Sequence, residues 1–213
     1  MKTLVITGVS RGIGLAAARY FLEKGWRVIG SSIRGVSPLT HPLLTLLPLD
    51  LANSTGIQTF ARALPDFDLL INNAAVLLDW NQEAAIDLAL LKTTFAINVF
   101  GTIELTEACL DKLDPQGKII NVSSSWGSFA ANDSPYQPQY KMSKACLNLY
   151  TKLLAERFPS RLVASFDPGW VKTDMGTEAA PTLPSEVAEE LYTLAATLKE
   201  SGYFWHRGHK IPW

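Results

Sequence analysis

Tyr140 and Lys144, in the stretch Gln139-Tyr140-Lys141-Met142-Ser143-Lys144, stand four residues apart, a spacing that puts a phenol and an ammonium on one face of a helix. Such a pair does proton chemistry. A free phenol ionises near pH ~10, and bringing that down by about three units takes roughly 4 kcal/mol of preference for the phenolate. A unit positive charge about 5 Å away, in a medium of effective dielectric ~20, supplies roughly 3 kcal/mol. The spacing therefore predicts a tyrosine whose proton the lysine makes mobile. Tyr136 is the competing phenol, but four residues beyond it stands Tyr140, not a lysine.

A second group of residues points to a phosphate. In Thr7-Gly8-Val9-Ser10-Arg11-Gly12-Ile13-Gly14 the glycines fall at 8, 12 and 14, directly after an apolar run. Glycines there permit a tight turn and close approach of backbone N–H groups to a pyrophosphate, at a helix N-terminus whose partial positive charge favours an anion. Gly8, Ser10, Arg11, Gly12, Ile13 and Gly14 are the expected contacts. A dinucleotide site also reads the adenosine ribose at the end of the second strand, where an acid suits a free 2′-hydroxyl and a neutral residue with a nearby arginine suits a 2′-phosphate. Ser31-Ser32-Ile33-Arg34 has no acid. Ser32 and Arg34, with Arg11, therefore favour NADP(H), with NAD(H) still admissible; the competing role for both arginines is a solvated surface. Asp50, followed by Leu51, could accept a hydrogen bond from adenine or could instead cap a turn or helix.

The elements that must carry these residues alternate. Thr3–Thr7, Arg27–Ser31, Leu43–Leu49, Phe67–Ile71, Lys118–Ser123, Leu162–Phe166 and Tyr203–Trp205 read as strands. Between them run helical stretches: Gly12–Lys24, one beginning after Asn53 or Ser54, Leu88–Lys112, the helix of Tyr140 ending near Arg157, and a last one opened by Pro184. That alternation predicts an α/β fold, a single domain over 1–213 with a Rossmann-type doubly wound parallel sheet of about seven strands and helices on both faces.

The bulk composition excludes other classes. At 213 residues, 47% hydrophobic and net charge −1, with Lys and Arg scattered, the chain offers no basic field for nucleic acid. No apolar run approaches the roughly 18 residues of a membrane span, and the N-terminus enters a strand at once. A soluble, cytoplasmic protein is expected. Cys109 and Cys146 read as buried helical thiols, not a bridge. His41, His206 and His209 read as ordinary surface histidines, since no cysteine or carboxylate cluster stands at ligand spacing; no metal is expected.

Taken in order, Thr7-Gly8-x-x-x-Gly12-x-Gly14, Asn72-Asn73-Ala74-Ala75, Asn98, Ser124, Tyr140-x-x-x-Lys144 and Pro168-Gly169-Trp170-Val171-Lys172-Thr173 resemble the short-chain dehydrogenase/reductase family over essentially the whole chain. Pro168 to Met175 and the stretch from Tyr203 to Trp213 are most similar to its carbonyl-reductase branch. The resemblance implies that Tyr140 protonates a carbonyl oxygen as hydride arrives from the nicotinamide. It implies that Lys144 also holds the nicotinamide ribose, that Asn98 links Lys144 to a water chain, and that Ser124 orients the carbonyl. Asn73, Ala74 and Ala75 would lie along the cofactor, Ala75 standing where the family more often has glycine. Pro168, Gly169, Val171 and Thr173 would hold the nicotinamide end. Ser124 and Tyr140 are farther apart than is usual in the family, the extra length falling in the turn-rich Asn132-Asp133-Ser134-Pro135.

The segment that forms the substrate lid in this family, about 174–184 here, is short. Trp126, Phe129, Tyr136 and Trp170 are near enough in sequence to line an apolar pocket, although core packing competes for each. The expected function is NADPH-dependent reduction of apolar or aromatic aldehydes and ketones, with a small-molecule carbonyl or alcohol as partner and a homodimer as the assembly. The alternatives are an NAD-dependent alcohol dehydrogenase and a non-catalytic dinucleotide-binding signalling or regulatory protein.

Overall fold

The computed structural model describes residues 1–80 and 84–213. An eight-stranded sheet runs β3-β2-β1-β4-β5-β6-β7-β8, built from β1 (Thr3–Thr7), β2 (Arg27–Ser32), β3 (Leu44–Pro48), β4 (Phe67–Asn72), β5 (Leu113–Val122), β6 (Leu162–Phe166), β7 (Tyr203–His206) and β8 (His209–Ile211). Every pairing is parallel except β7 with β8. The strand order reverses between β1 and β4, the switch point at which doubly wound sheets bind ligands. Because both faces are covered, the central strands read as continuous apolar runs; Leu4, Val5 and Ile6 are fully buried.

Helices α1 (Gly12–Glu23) and α6 (Pro184–Thr197) pack together on one face, where Phe21 and Leu191 join the core cluster. The other face carries α2 (Ser54–Ala63), α3 (Leu88–Phe95), α4 (Thr102–Cys109) and α5 (Pro138–Arg157), with Ile57, Phe60 and Leu105 in its core cluster. Both cysteines are free, Cys109 buried and Cys146 half-buried.

Against the expected seven or so, the described residues form eight strands. The chain past Trp205 folds back through Arg207 and Gly208, both at positive φ (47° and 75°), the two-residue turn that suits a tight hairpin. β5 also begins five residues earlier than expected, at Leu113. Between α3 and α4 the helix widens into a π segment, Ala96–Gly101, so the expected single helix is continuous only with an altered register.

The composite helix, Leu88–Cys109, overturns the expectation that no apolar run approaches a membrane span. By length and composition it is long and apolar enough to cross one, an 18-residue stretch of it having mean hydropathy 1.3. The average tolerates Thr93, Thr94 and Asn98, which a count of uninterrupted apolar residues does not. In this fold it lies against α2 and α5.

Candidate active site

At the C-terminal edge of β1, Gly8 and Gly12 adopt positive φ (79° and 56°), and a Cβ on Gly14 would overlap the Gly8 carbonyl oxygen. The three glycines are thus required by the turn itself. The loop is braced from β4. Thr7 Oγ1 accepts from the backbone N–H of Asn73 (3.0 Å) and of Ala74 (2.9 Å), and Asn73 Nδ2 donates to the Thr7 carbonyl (2.8 Å). Arg11 is the residue that opens α1, and it provides no side-chain cap. The first-turn N–H groups of α1 therefore lack the acceptor that a serine or aspartate would give, which is the condition for an anion to serve instead. The loop fits a dinucleotide pyrophosphate. A Cβ on Gly12 would touch Thr173 Cγ2 at 3.2 Å, so the expected pyrophosphate and nicotinamide segments face each other.

The expected adenosine contacts divide. Arg34 is exposed just past β2. Ser32 Oγ is engaged with Val36, donating to its carbonyl and accepting from its N–H, and so shapes the turn that presents Arg34. Arg11 pairs with Asp174 at 2.8 Å, both side chains exposed. Asp50 accepts from the Ala52 N–H, the turn-capping role, while Leu51 is buried with its carbonyl against Gly101. Among the nicotinamide-end residues, Pro168 leads into Gly169, whose φ is +70°, and the Val171 carbonyl accepts from Thr173 Oγ1. Ala75 follows the braced Asn73 and Ala74 and is half-buried.

Helix α5 carries Tyr140 and Lys144, two of the residues expected to act. Pro138 occupies its first turn, where the missing N–H costs nothing. Asp79, from the loop after β4, accepts from the N–H groups of Gln139 (3.0 Å) and Tyr140 (3.3 Å). Lys144 Nζ lies 5.5 Å from the centroid of the Tyr140 ring and donates to the Val122 carbonyl at 2.8 Å. Ser124 caps the short helical turn after β5 by accepting from the Trp126 N–H. A buried polar ladder fixes α5 on the sheet: Asn72 donates to Asn121, Asn121 to Thr151, and Ser165 to Thr151.

Asn98 lies in the π segment and is buried. Its Oδ1 accepts from the Val76 N–H and its Nδ2 donates to the Val76 carbonyl, both at 2.8 Å, and Nδ2 also donates to Ser143 Oγ at 3.1 Å. The side chain thus clamps the β4 loop to α5 and makes no direct bond to Lys144. The Thr102 N–H reaches the Val99 carbonyl, not that of Asn98 four residues back.

The electrostatics correct the expected balance. Burial pushes the Tyr140 phenol up from its ordinary value, and the Asp167 and Asp79 carboxylates push the same way. Burial lowers Lys144 to about 8, opposed by Asp167. Desolvation is the leading cause for both groups, because both are buried. Spacing cannot report that cost, nor could it reveal the two aspartates. His206 is corrected too: its Nδ1 lies 2.9 Å from the Asp167 carbonyl oxygen and 3.4 Å from Asp167 Oδ2, so it is part of the site's wall.

The four aromatics separate. Trp126 packs edge-on to Tyr140, ring centroids 6.1 Å apart. Trp170 donates its indole N–H to the Gly176 carbonyl. Phe129 is 87% exposed and Tyr136 is also exposed, so neither encloses the site. A cavity of about 660 Å³ runs along α6, lined by Glu186, Leu194 and Trp205 among others, and contains none of the residues expected to act.

A parallel sheet with a braced glycine turn at its switch point and a buried tyrosine-lysine pair beside it defines a dinucleotide-dependent oxidoreductase fold. The family model described as short chain dehydrogenase matches residues 2–184, and the chain belongs to that family. It is 38% identical over 157 residues to "C-signal" of Myxococcus xanthus, covering 68% of this chain and 92% of that protein. Among solved structures it is similar to the carbonyl reductase Sniffer of D. melanogaster (26% identity, TM-score 0.91, all of both chains). It is also similar to a short-chain dehydrogenase/reductase from Burkholderia multivorans with bound NADP (26% identity, TM-score 0.92, 100% of this chain and 99% of that one).

Proposed function

We propose that the protein reduces apolar or aromatic aldehydes and ketones to alcohols with NADPH, Tyr140 giving the proton. The carrying observation is the burial of Tyr140 and Lys144 one helical turn apart, beside a glycine turn with uncapped donors. Reduced nicotinamide, when bound, supplies the hydride that reaches the carbonyl carbon. Tyr140 transfers its proton to the carbonyl oxygen, Lys144 stabilises the phenolate left behind, and Ser124 orients the oxygen by donating to it. Asn98 holds the loop and helix that frame Lys144, and a water chain would reach Lys144 from its side. Trp126, edge-on to Tyr140, would form one wall, and the exposure of Phe129 and Tyr136 favours broad substrate tolerance. The bound NADP of the Burkholderia relative and the acid-free end of β2 support NADPH, with Arg34 at the 2′-phosphate.

Two substitutions test the reading. Tyr140→Phe should cut turnover of an aromatic aldehyde about 100-fold or more while leaving NADPH affinity nearly unchanged, and undiminished turnover would remove Tyr140 from the acid role. Arg34→Glu should weaken NADPH by roughly tenfold or more, the loss of a charge-assisted contact, and NADH far less; an equal loss for both would remove the phosphate role. The name of the Myxococcus relative favours a second reading, a dinucleotide-binding signalling protein. Tight NADPH binding without turnover across an aldehyde and ketone panel would select it.

The assembly we propose is a homodimer through the solvent face of α3, α4 and α5, where Phe100, Leu149 and Leu153 are 64%, 58% and 54% exposed.

A further inference from the structure

Val122 and Phe166 are register partners at the ends of β5 and β6. The Val122 carbonyl holds Lys144 Nζ, and the residue after Phe166 is Asp167, 4% exposed. Its Oδ1 accepts from the Gly169 N–H at 3.0 Å, and its Oδ2 lies 3.4 Å from His206 Nδ1. A fixed carboxylate therefore stands at the same sheet edge as the buried ammonium. We infer that Asp167 is a positioning residue whose charge holds Lys144 as the ammonium and Tyr140 as the phenol, setting the pair to give a proton, not to take one.

The inference rests on the roles proposed above for Tyr140 and Lys144. A buried ammonium loses its proton unless a negative group opposes desolvation, and the direction of the Asp167 effect on Lys144 is to restore it. The other charged groups around α5 do not do this. Asp79 lies at the N-terminus of α5 and acts on Tyr140. Asp87 is engaged with the Ala89 and Leu90 N–H groups at the start of α3, and Lys92 is exposed. Lys141 turns away to Asn132 and Ser134. His206 faces Asp167 itself.

The test is Asp167→Asn, which keeps an acceptor for the Gly169 N–H and removes the charge. In protein labelled at the lysine Cε, without cofactor, the NMR titration of Lys144, assigned by its loss in Lys144→Met, should have its midpoint near 8 in the parent. In the variant it should fall by roughly half a pH unit or more. The alkaline limb of kcat/KM for aldehyde reduction should move to lower pH with it, because earlier loss of either proton disables donation. An unmoved midpoint, or a uniform loss of activity at every pH, would overturn the inference while leaving the reductase reading intact. A shifted midpoint in a protein without turnover would sustain the counter-charge and defeat the reductase reading. Should Asp167→Asn fail to fold, His206→Lys places a permanent cation beside Asp167 from the half-exposed β7. It should lower the Lys144 midpoint likewise, and no change there would also overturn the inference.

Discussion

Lys144 is an ammonium that is 2% exposed, and its burial has a sign and a size. Its folded value near 8 lies below its ordinary 10.5, so between those values the unfolded chain holds more protons, and wild-type stability rises with pH across that window. Below pH 8 the full cost of roughly 3 kcal/mol is present. Lys144→Met should abolish turnover yet stabilise the fold at pH 7, offset by about 1 kcal/mol for the Val122 carbonyl left without its donor. A gain in Tm of a few degrees is expected, smaller at pH 9.5, where the native lysine is already neutral. Calorimetry at both pH values checks it, and a lower Tm at pH 7 would mean that the ammonium is net stabilising. Tyr140 and Lys144 were legible because helical periodicity alone brings them together. Asp79, Asp167 and His206 were not, because they meet the pair through strand register and a loop, which single-sequence spacing does not encode.

The glycine turn is held by contacts between elements, and Thr7 carries them. Its buried Oγ1 takes two backbone N–H groups from the chain leaving β4, tying the glycine loop to the segment expected along the adenosine. Thr7→Val keeps the shape and leaves both donors without an acceptor. It should destabilise by roughly 2–4 kcal/mol in urea unfolding and weaken NADPH binding by loosening the loop; unchanged values for both would show that Asn73 braces the turn without it. Strands β1, β2, β4 and β6 were readable as apolar runs between turn signals. The hairpin of β7 and β8 was hidden because its turn places Arg207, not the usual asparagine or aspartate, at positive φ. The π segment was hidden because it keeps a helical pattern; only Asn98, a weak helix former, marked it.

At the scale of the whole molecule, one apolar face stands exposed. Met142, Cys146, Leu149 and Leu153 follow helical spacing along the outer side of α5, and Phe100 stands out from the neighbouring helix against Phe95. The Glu107–Arg157 ion pair at 2.9 Å borders the stripe. An apolar stripe with a charged border is the composition of an interface between copies of one chain, and pairing across a two-fold axis would lay the same helices on each other. It would also hold α5, and with it Tyr140 and Lys144, from outside as the sheet holds them from inside. Phe100→Glu combined with Leu149→Lys places charge on both helices of this face while leaving the cleft untouched. Light scattering behind a sizing column should give the parent a mass twice the 23.4 kDa of one chain and the double variant the mass of one, with NADPH still bound. A parent of single-chain mass at tens of micromolar, as a rough working range for stable pairs, would remove the dimer, and the stripe would then need another occupant.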